Sequence, residues 1–205
     1  MTSSKENIEI RTYHHSDLTS LYKICLLTAD SGNDASLLYK DPDLVGHLSA
    51  APYAIFEPEL TFIITLNNIP TGYILGTKNS LNFYHKCETD WFPLLRKRYP
   101  FPVDDDTSPD ASIIRLIHTG HDVKEELLNY PAHLHVDLLP SIQGKGLGRK
   151  IMNIFIDKLK SLNVGALHLQ TGKKNQGAIE FYNKTGFHII KEYEHTIAFG
   201  MKFTE

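Results

Sequence analysis

The sequence predicts an α+β fold, a central mixed and mostly antiparallel β-sheet flanked by helices. Three observations carry this expectation. The C-terminal third switches between segments of period two and segments of period 3.6. Its last two strand-like runs, "FHIIKEY" and "TIAFGMKF", are joined too tightly for a parallel crossover. Further upstream, "LTFIITL" and "TGYILGT" meet at "NNIP", a hairpin signal.

Taken in order, "IEIRTY" alternates like a first strand, and Asp17 is placed to cap a helix running to about Leu27. "ADSGNDASLLYKDPDLVGHLSAAPY" mixes loop formers with apolar anchors and reads as ordered loop and short helix. The hairpin follows, then "LNFYHKCETDWFPLLRKRYPF", helix-like until Pro100. "PVDDDTSPDAS" is polar and acidic and reads as a loop with Asp104, Asp105 and Asp106 solvated. "AHLHVDLL" is a strand that runs into the glycines of "QGKGLG". After them Leu147, Ile151, Phe155, Leu159 and Leu162 form one helical stripe. "GALHLQT" is a strand, and "NQGAIEFYNKT" is a helix closed by Gly186. The order is β-turn-α-β-α-β-β, with no internal repeat or low-complexity tract.

The 205 residues suit one domain, residues 1–205, with an acceptor-side half to about residue 125 and a cofactor half from about 130 to 203. A net charge of -3 supplies no basic field for nucleic acid or membrane partners. The two cysteines, Cys25 and Cys87, fit a reduced compartment better than a secreted disulfide scaffold. The N-terminus lacks a signal-type apolar core, and no run approaches the roughly 20 apolar residues of a membrane span. The expectation is an intracellular protein, cytoplasmic or nuclear.

Two phosphate-binding readings of "QGKGLGRK" fail on spacing. A P-loop needs a Lys-Ser/Thr pair after its last glycine, and a dinucleotide turn needs G-x-G-x-x-G. What remains is a strand, a short loop and a run of N–H groups that feeds a long helix, a geometry suited to pyrophosphate. A tight turn with no ligand has the same residues.

"QGKGLG" matches Q/R-x-x-G-x-G/A, and "NQGAIEFYNKTGF" matches N-x-x-A-x-x-F-Y-x-x-x-G-F at the expected distance. Over roughly residues 130 to 203 the chain thus resembles the GCN5-related N-acetyltransferases, the GNAT superfamily. "SGNDAS", "DPDLVGHLSAAPY", "WFPLLRKRYP" and "AHLHVDLLP" extend a narrower resemblance over nearly the whole chain. It is to acetyltransferase-type proteins related to the C-terminal domain of the O-GlcNAc hydrolase. Some members of that group have lost the cofactor turn, and this chain keeps it.

The resemblance implies a GNAT-type sheet with a splayed strand pair and acetyl-CoA as cofactor. Gln143, Gly144, Lys145, Gly146, Leu147, Gly148 and Arg149 would hold the CoA pyrophosphate through their backbone. Val136 and Leu138 would pair with the pantetheine arm, and Asn175 would contact it, although Asn175 also suits a plain helix cap. Lys145, Lys173 or Lys174 would meet the 3′-phosphate. Tyr182 stands in the family's acid position, where a phenol protonated at neutral pH could serve the leaving thiolate; by position alone it is a core tyrosine.

Acetyl transfer to an amine also needs a base. His133, His135 and Asp137 alternate, so they share one strand face unless a β-bulge intervenes. His135 and Asp137 rank first and His133 next; the blander reading is a solvated or partner-covered polar face. The same H-x-H-x-D spacing could ligate zinc, but no Cys pair supports it and no metal is expected. Asp30, Asn33, Asp34 and Tyr53 are candidates for binding a cationic acceptor, though Asp and Asn also favour turns. The expected function is acetyl-CoA-dependent N-acetyl transfer to a small-molecule or protein amine, by a monomer or homodimer. A CoA-binding regulatory module without turnover is the alternative.

Overall fold

The computed structural model describes residues 6–121 and 123–203. Residues 1–5, on which the reading of no signal segment partly rests, lie outside the described residues. Among the described residues seven strands form one sheet: β1 (Ile8–Thr12), β2 (Thr61–Leu66), β3 (Ile69–Thr77), β4 (Ala132–Leu138), β5 (Ala166–Gly172), β6 (His188–Glu192) and β7 (Thr196–Lys202). Their order is β1-β2-β3-β4-β5-β7-β6, and every neighbouring pair is antiparallel except β4 and β5. The mixed, mostly antiparallel sheet is therefore as expected. The last strand is not exposed: β7 lies between β5 and β6, and the edges are β1 and β6.

Helices cover both faces. On one face α1 (Leu18–Leu26), α2 (Leu44–Ser49), α3 (Ala51–Phe56), α4 (Ser80–Lys86), α5 (Phe92–Arg98) and α6 (Pro109–Thr119) pack Ile24, Phe83, Phe92 and Ile117 onto Tyr73 and Leu75 of β3. On the other, α7 (Leu147–Ser161) and α8 (Gln176–Lys184) pack on Ile74, Leu134, Leu167 and Phe199. The α7 stripe is buried at Leu147, Ile151, Phe155 and Leu159, as its spacing predicts.

The β2–β3 hairpin turns on Asn67 and Asn68 at φ 52° and 66°, the backbone of a two-residue turn that Asn tolerates. Pro70 is accommodated because the register shifts between Ile64 and Thr65, leaving Thr71 as the extra residue. At Gly76 a Cβ would overlap the His133 carbonyl and lie 2.7 Å from Phe155. Gly76→Ala is thus expected to destabilise the fold by about 3 kcal/mol, read from denaturant unfolding, because β3 cannot withdraw from β4 without breaking their ladder.

Three local expectations are corrected. Asp17 does not cap α1 with its side chain; its carboxylate takes a two-point bond from Arg11 (2.7 and 2.8 Å) and the His14 N–H, tying β1 to α1. The acidic "loop" ends early, since Ser108 accepts from the Ala111 N–H (3.2 Å) and Pro109 opens α6. Tyr53 is no loop residue: it sits in α3, 4% exposed.

β3 and β4 pair without a shift from Gly72↔Leu138 to Thr77↔His133, so β4 carries no bulge there. His133, His135 and Asp137 accordingly share one face, under the N-terminal helices. That face is covered by the chain itself, and neither solvent nor a partner is needed to explain it. Cys25 and Cys87 are both buried and unpaired, and no described helix is long and apolar enough to cross a membrane.

Candidate active site

β4 and β5 pair only at Ala132↔Leu167 and His133↔His168. From Leu134 to Leu138, β4 has no partner on β5, and the two strands part. A cleft of about 930 Å³ opens there, lined by Val136, Asp137 and Leu138 on one side and by Asn175, Phe181 and Tyr182 on the other. Its floor is the glycine turn.

Gly144 and Gly146 sit at φ 72° and 73°, a region other residues enter at a cost. Nothing lies within 4 Å of a Cβ at either position, so their side is open to a ligand. The first backbone bond of α7 runs from the Lys150 N–H to the Gly146 carbonyl (3.2 Å). The N–H groups of residues 144–149 find no acceptor among the described residues, which leaves a ring of donors at a helix start. The Gln143 side chain donates to the Leu138 carbonyl (2.7 Å), pinning the turn to the end of β4. Gly148 serves packing: a Cβ there would lie 3.2 Å from the Phe181 ring.

Lys174 lines the cleft, whereas Lys145 pairs with Glu6 (2.6 Å) and Lys173 with Glu192 (3.4 Å). The Arg149 guanidinium donates to the Lys184 carbonyl (3.1 Å), joining α7 to α8. Asn175 caps α8 by accepting from the Ala178 N–H (3.0 Å) and still faces the cleft.

Tyr182 is held from behind. α8 closes with Gly186 at φ 92° and a bond from the Phe187 N–H to the Tyr182 carbonyl (3.2 Å). The Tyr182 ring contacts Phe187 and Phe199, each 5.5 Å between centroids. Its hydroxyl makes no hydrogen bond among the described residues. Burial, and then the charge of Asp137, push the phenol above its ordinary pKa. Asp137 accepts from the Tyr73 hydroxyl (2.6 Å). Burial raises its carboxyl, opposed by the Tyr73 and Thr28 hydroxyls.

A second cavity, of about 150 Å³, begins one residue along β4, where His135 lies. Tyr53 from α3, Tyr84 from α4, His121, and His168 and Gln170 from β5 complete its walls with His133. The Tyr53 hydroxyl lies 2.8 Å from His133 Nε2 and 3.1 Å from His135 Nε2. Burial, with the neighbouring imidazoles adding to it, lowers His133 well below the usual value and takes His135 to about 4. Among the described residues no cluster of His, Cys, Asp or Glu could hold a metal ion.

The expected acceptor set does not assemble. Asn33 lines the cofactor cleft beside Gly32; Asp30 is exposed and bridges to Asn33 through the backbone; Asp34 is exposed and accepts from the Ser36 N–H (2.8 Å). Neither aspartate lines either cavity, because both are spent on turn formation. Only Tyr53 reaches the second cavity. Tyr84, His121, His168 and Gln170 carry no sequence motif, and the large number of histidines was the one hint of them.

A strand pair that parts after two residues, beside a turn of open N–H groups, is the architecture of a cleft for a phosphate-bearing ligand. The model of the Acetyltransferase (GNAT) family matches residues 126–187. The crystal structure of SsHAT superposes with a TM-score of 0.90 at 36% identity, covering 97% of this chain and 99% of that one. The chain belongs to the GNAT acetyltransferase family. Protein O-GlcNAcase of Rattus norvegicus is 26% identical over 195 residues, 93% of this chain but 21% of that protein, so the chain spans about a fifth of the relative's length. The PaiA N-acetyltransferase of Thermoplasma acidophilum, solved with coenzyme A, shares the fold at TM-score 0.60 and 13% identity over 96% of this chain and 99% of that one.

Proposed function

We propose that the chain is an acetyl-CoA-dependent N-acetyltransferase in which an amine attacks the thioester directly. The observation that carries this reading is the meeting of Asp137 and Tyr182 in one cleft, where the strands part and the glycine turn ends. The cleft suits acetyl-CoA on its own terms. The unpaired N–H groups of residues 144–149 and the open side of Gly144 and Gly146 fit a pyrophosphate, and Lys174 fits a further phosphate. The parted edge of β4 offers backbone groups to an amide-bearing arm. When bound, the cofactor supplies the acetyl group as a thioester.

Asp137 takes the amine proton as the N–C bond forms. Its raised pKa brings it closer to the range a base needs. An unpaired N–H of β4 stabilises the developing oxyanion. Tyr182 donates a hydrogen bond to sulfur as the C–S bond breaks. A phenol raised above 10 is a weaker acid than a thiol near 8.5, so it supports the thiolate better than it protonates it. The thiolate then takes its proton from solvent, and Asp137 returns its own.

The test is thiol release over an amine panel, with acetyl-CoA binding followed by calorimetry. Turnover is expected on at least one amine, and Tyr182→Phe is expected to lower kcat about 10- to 100-fold with acetyl-CoA affinity retained. Intact cofactor binding without turnover on any amine would instead favour a CoA-binding regulatory module.

A further inference from the structure

The second cavity sits where the two strands begin to part, at the inner end of the cofactor cleft, and the mechanism above leaves its histidines unused. The hydrogen bonds behind it can be ordered, because with His133 neutral, as its burial favours, only one arrangement of protons satisfies them all. The Pro131 carbonyl can only accept, so the Ser80 hydroxyl at 2.8 Å donates to it. Ser80 Oγ therefore accepts from His133 Nδ1, at 2.7 Å. With its proton on Nδ1, neutral His133 has its lone pair on Nε2, which accepts the Tyr53 hydroxyl at 2.8 Å. The Tyr53 oxygen then accepts from His135 Nε2 at 3.1 Å. His135 is left with its proton on Nε2 and its lone pair on Nδ1. No hydrogen bond to that nitrogen is found among the described residues.

We infer that this cavity is the acceptor pocket, and that it receives an uncharged amine whose N–H is held by Nδ1 of His135. Ser80, His133 and Tyr53 act as positioning residues that fix where that lone pair lies. The inference rests on the acetyl-transfer reading and deepens it. His135 and Asp137 are two apart on one face of β4, so an amine held at the first is carried toward the second. Among the described residues, the titratable groups that line the cavity with His135 are His133 from β4, His168 from β5, Tyr53 from α3, Tyr84 from α4, and His121. Among the described residues no carboxylate and no lysine lines the cavity. An alkylammonium would enter it with no counter-charge from these residues, after giving up its water. His168 adds no charge either: burial lowers its pKa, against the bond its Nδ1–H gives to the Tyr130 carbonyl at 2.7 Å. A neutral amine loses far less water and brings the N–H donor that the free nitrogen lacks.

Nitrogen-15 NMR of the full chain reads the first half directly, with His135→Ala identifying the signal. At pH 7 the His135 ring is expected to be neutral with its lone pair on Nδ1. A charged ring, or a lone pair on Nε2, overturns the inference. Tyr53→Phe and Ser80→Ala are each expected to release the fixed tautomer. They should also raise KM for the amine about tenfold, the worth of one hydrogen bond, with the calorimetric affinity for acetyl-CoA unchanged. If one variant fails to fold, the other carries the test. The second half is read from the amine KM between pH 6.5 and 9.5. It should fall in step with the neutral fraction of the acceptor. A KM that stays flat across the acceptor's own pKa overturns the inference. Absence of turnover on every amine, with the Nδ1 lone pair in place, would sink acetyl transfer while leaving the hydrogen-bond chain standing.

Discussion

Asp137→Asn should lower kcat by about 10²–10³-fold and, in the same protein without ligand, raise the melting temperature at neutral pH. Both effects have one cause. The Asp137 carboxyl is buried, and burial raises its pKa above the ordinary 3.8 despite the hydrogen bond from Tyr73 and the neighbouring Thr28 hydroxyl. A group whose folded pKa is raised holds its proton longer in the fold than in the unfolded chain. Its charge therefore costs nothing below the unfolded value, and the cost grows as pH rises through the folded value. At neutral pH the wild type bears that cost to the extent that the carboxyl is ionised, which is the condition for having a base in the cleft. Asparagine keeps the shape and can still accept the Tyr73 hydroxyl, now 2.6 Å from the carboxylate. It removes the charge and the proton acceptor together. Melting curves from pH 3 to 8 should show the two proteins converging at the acid end and the variant ahead at pH 7. A variant less stable than wild type at pH 7 would mean that the bond from Tyr73 outweighs the burial, and Asp137 would then read as a structural anchor. The same substitution should leave acetyl-CoA affinity in place, which separates a lost base from a lost cleft.

The parts of this site that the sequence displayed are those built from neighbouring residues. The stripe from Leu147 to Leu159, the glycines before it and Gly186 after α8 each act over a few positions, so a period or a turn rule reveals them. The β4 alternation was visible for the same reason, and the unbroken β3–β4 register keeps it. The start of α6 was also written locally, in Ser108 and Pro109, but the run of aspartates before it reads as loop. The second cavity was not visible, because it is assembled from distant segments. Tyr53 meets His133 across 80 positions, and Ser80 meets it across 53. Nothing in "APYAIF" shows that its tyrosine will be buried against two imidazoles. Asp30 and Asp34 are ambiguous for the opposite reason. Their residue types suit both an amine site and a turn, and in the fold both take part in turns. Asn175 shows the two uses together, as a cap whose side chain also faces the cleft.

Gly146→Asp should abolish high-affinity acetyl-CoA binding while leaving the fold nearly as stable as before. The backbone there lies at φ 73°, where a non-glycine residue costs about 1 kcal/mol or somewhat more, Asp being among the more tolerant. Against this, a carboxylate at the start of α7 gains roughly 0.3–1 kcal/mol from the helix dipole and can accept from the unpaired N–H groups of the first turn. These terms nearly cancel, so the melting temperature should move by only a few degrees. Binding faces no such cancellation. The open side of Gly146 becomes a side chain, the donors that would meet the pyrophosphate are occupied, and a negative charge stands where a second one must come. Acetyl-CoA affinity is expected to fall at least about 100-fold. Gly146→Asn has nearly the same shape without the charge, and should retain more affinity. The gap between the two should narrow in high salt, because only its electrostatic part is screened. Binding of acetyl-CoA to Gly146→Asp within about threefold of wild type would show that the pyrophosphate lies elsewhere than on the glycine turn.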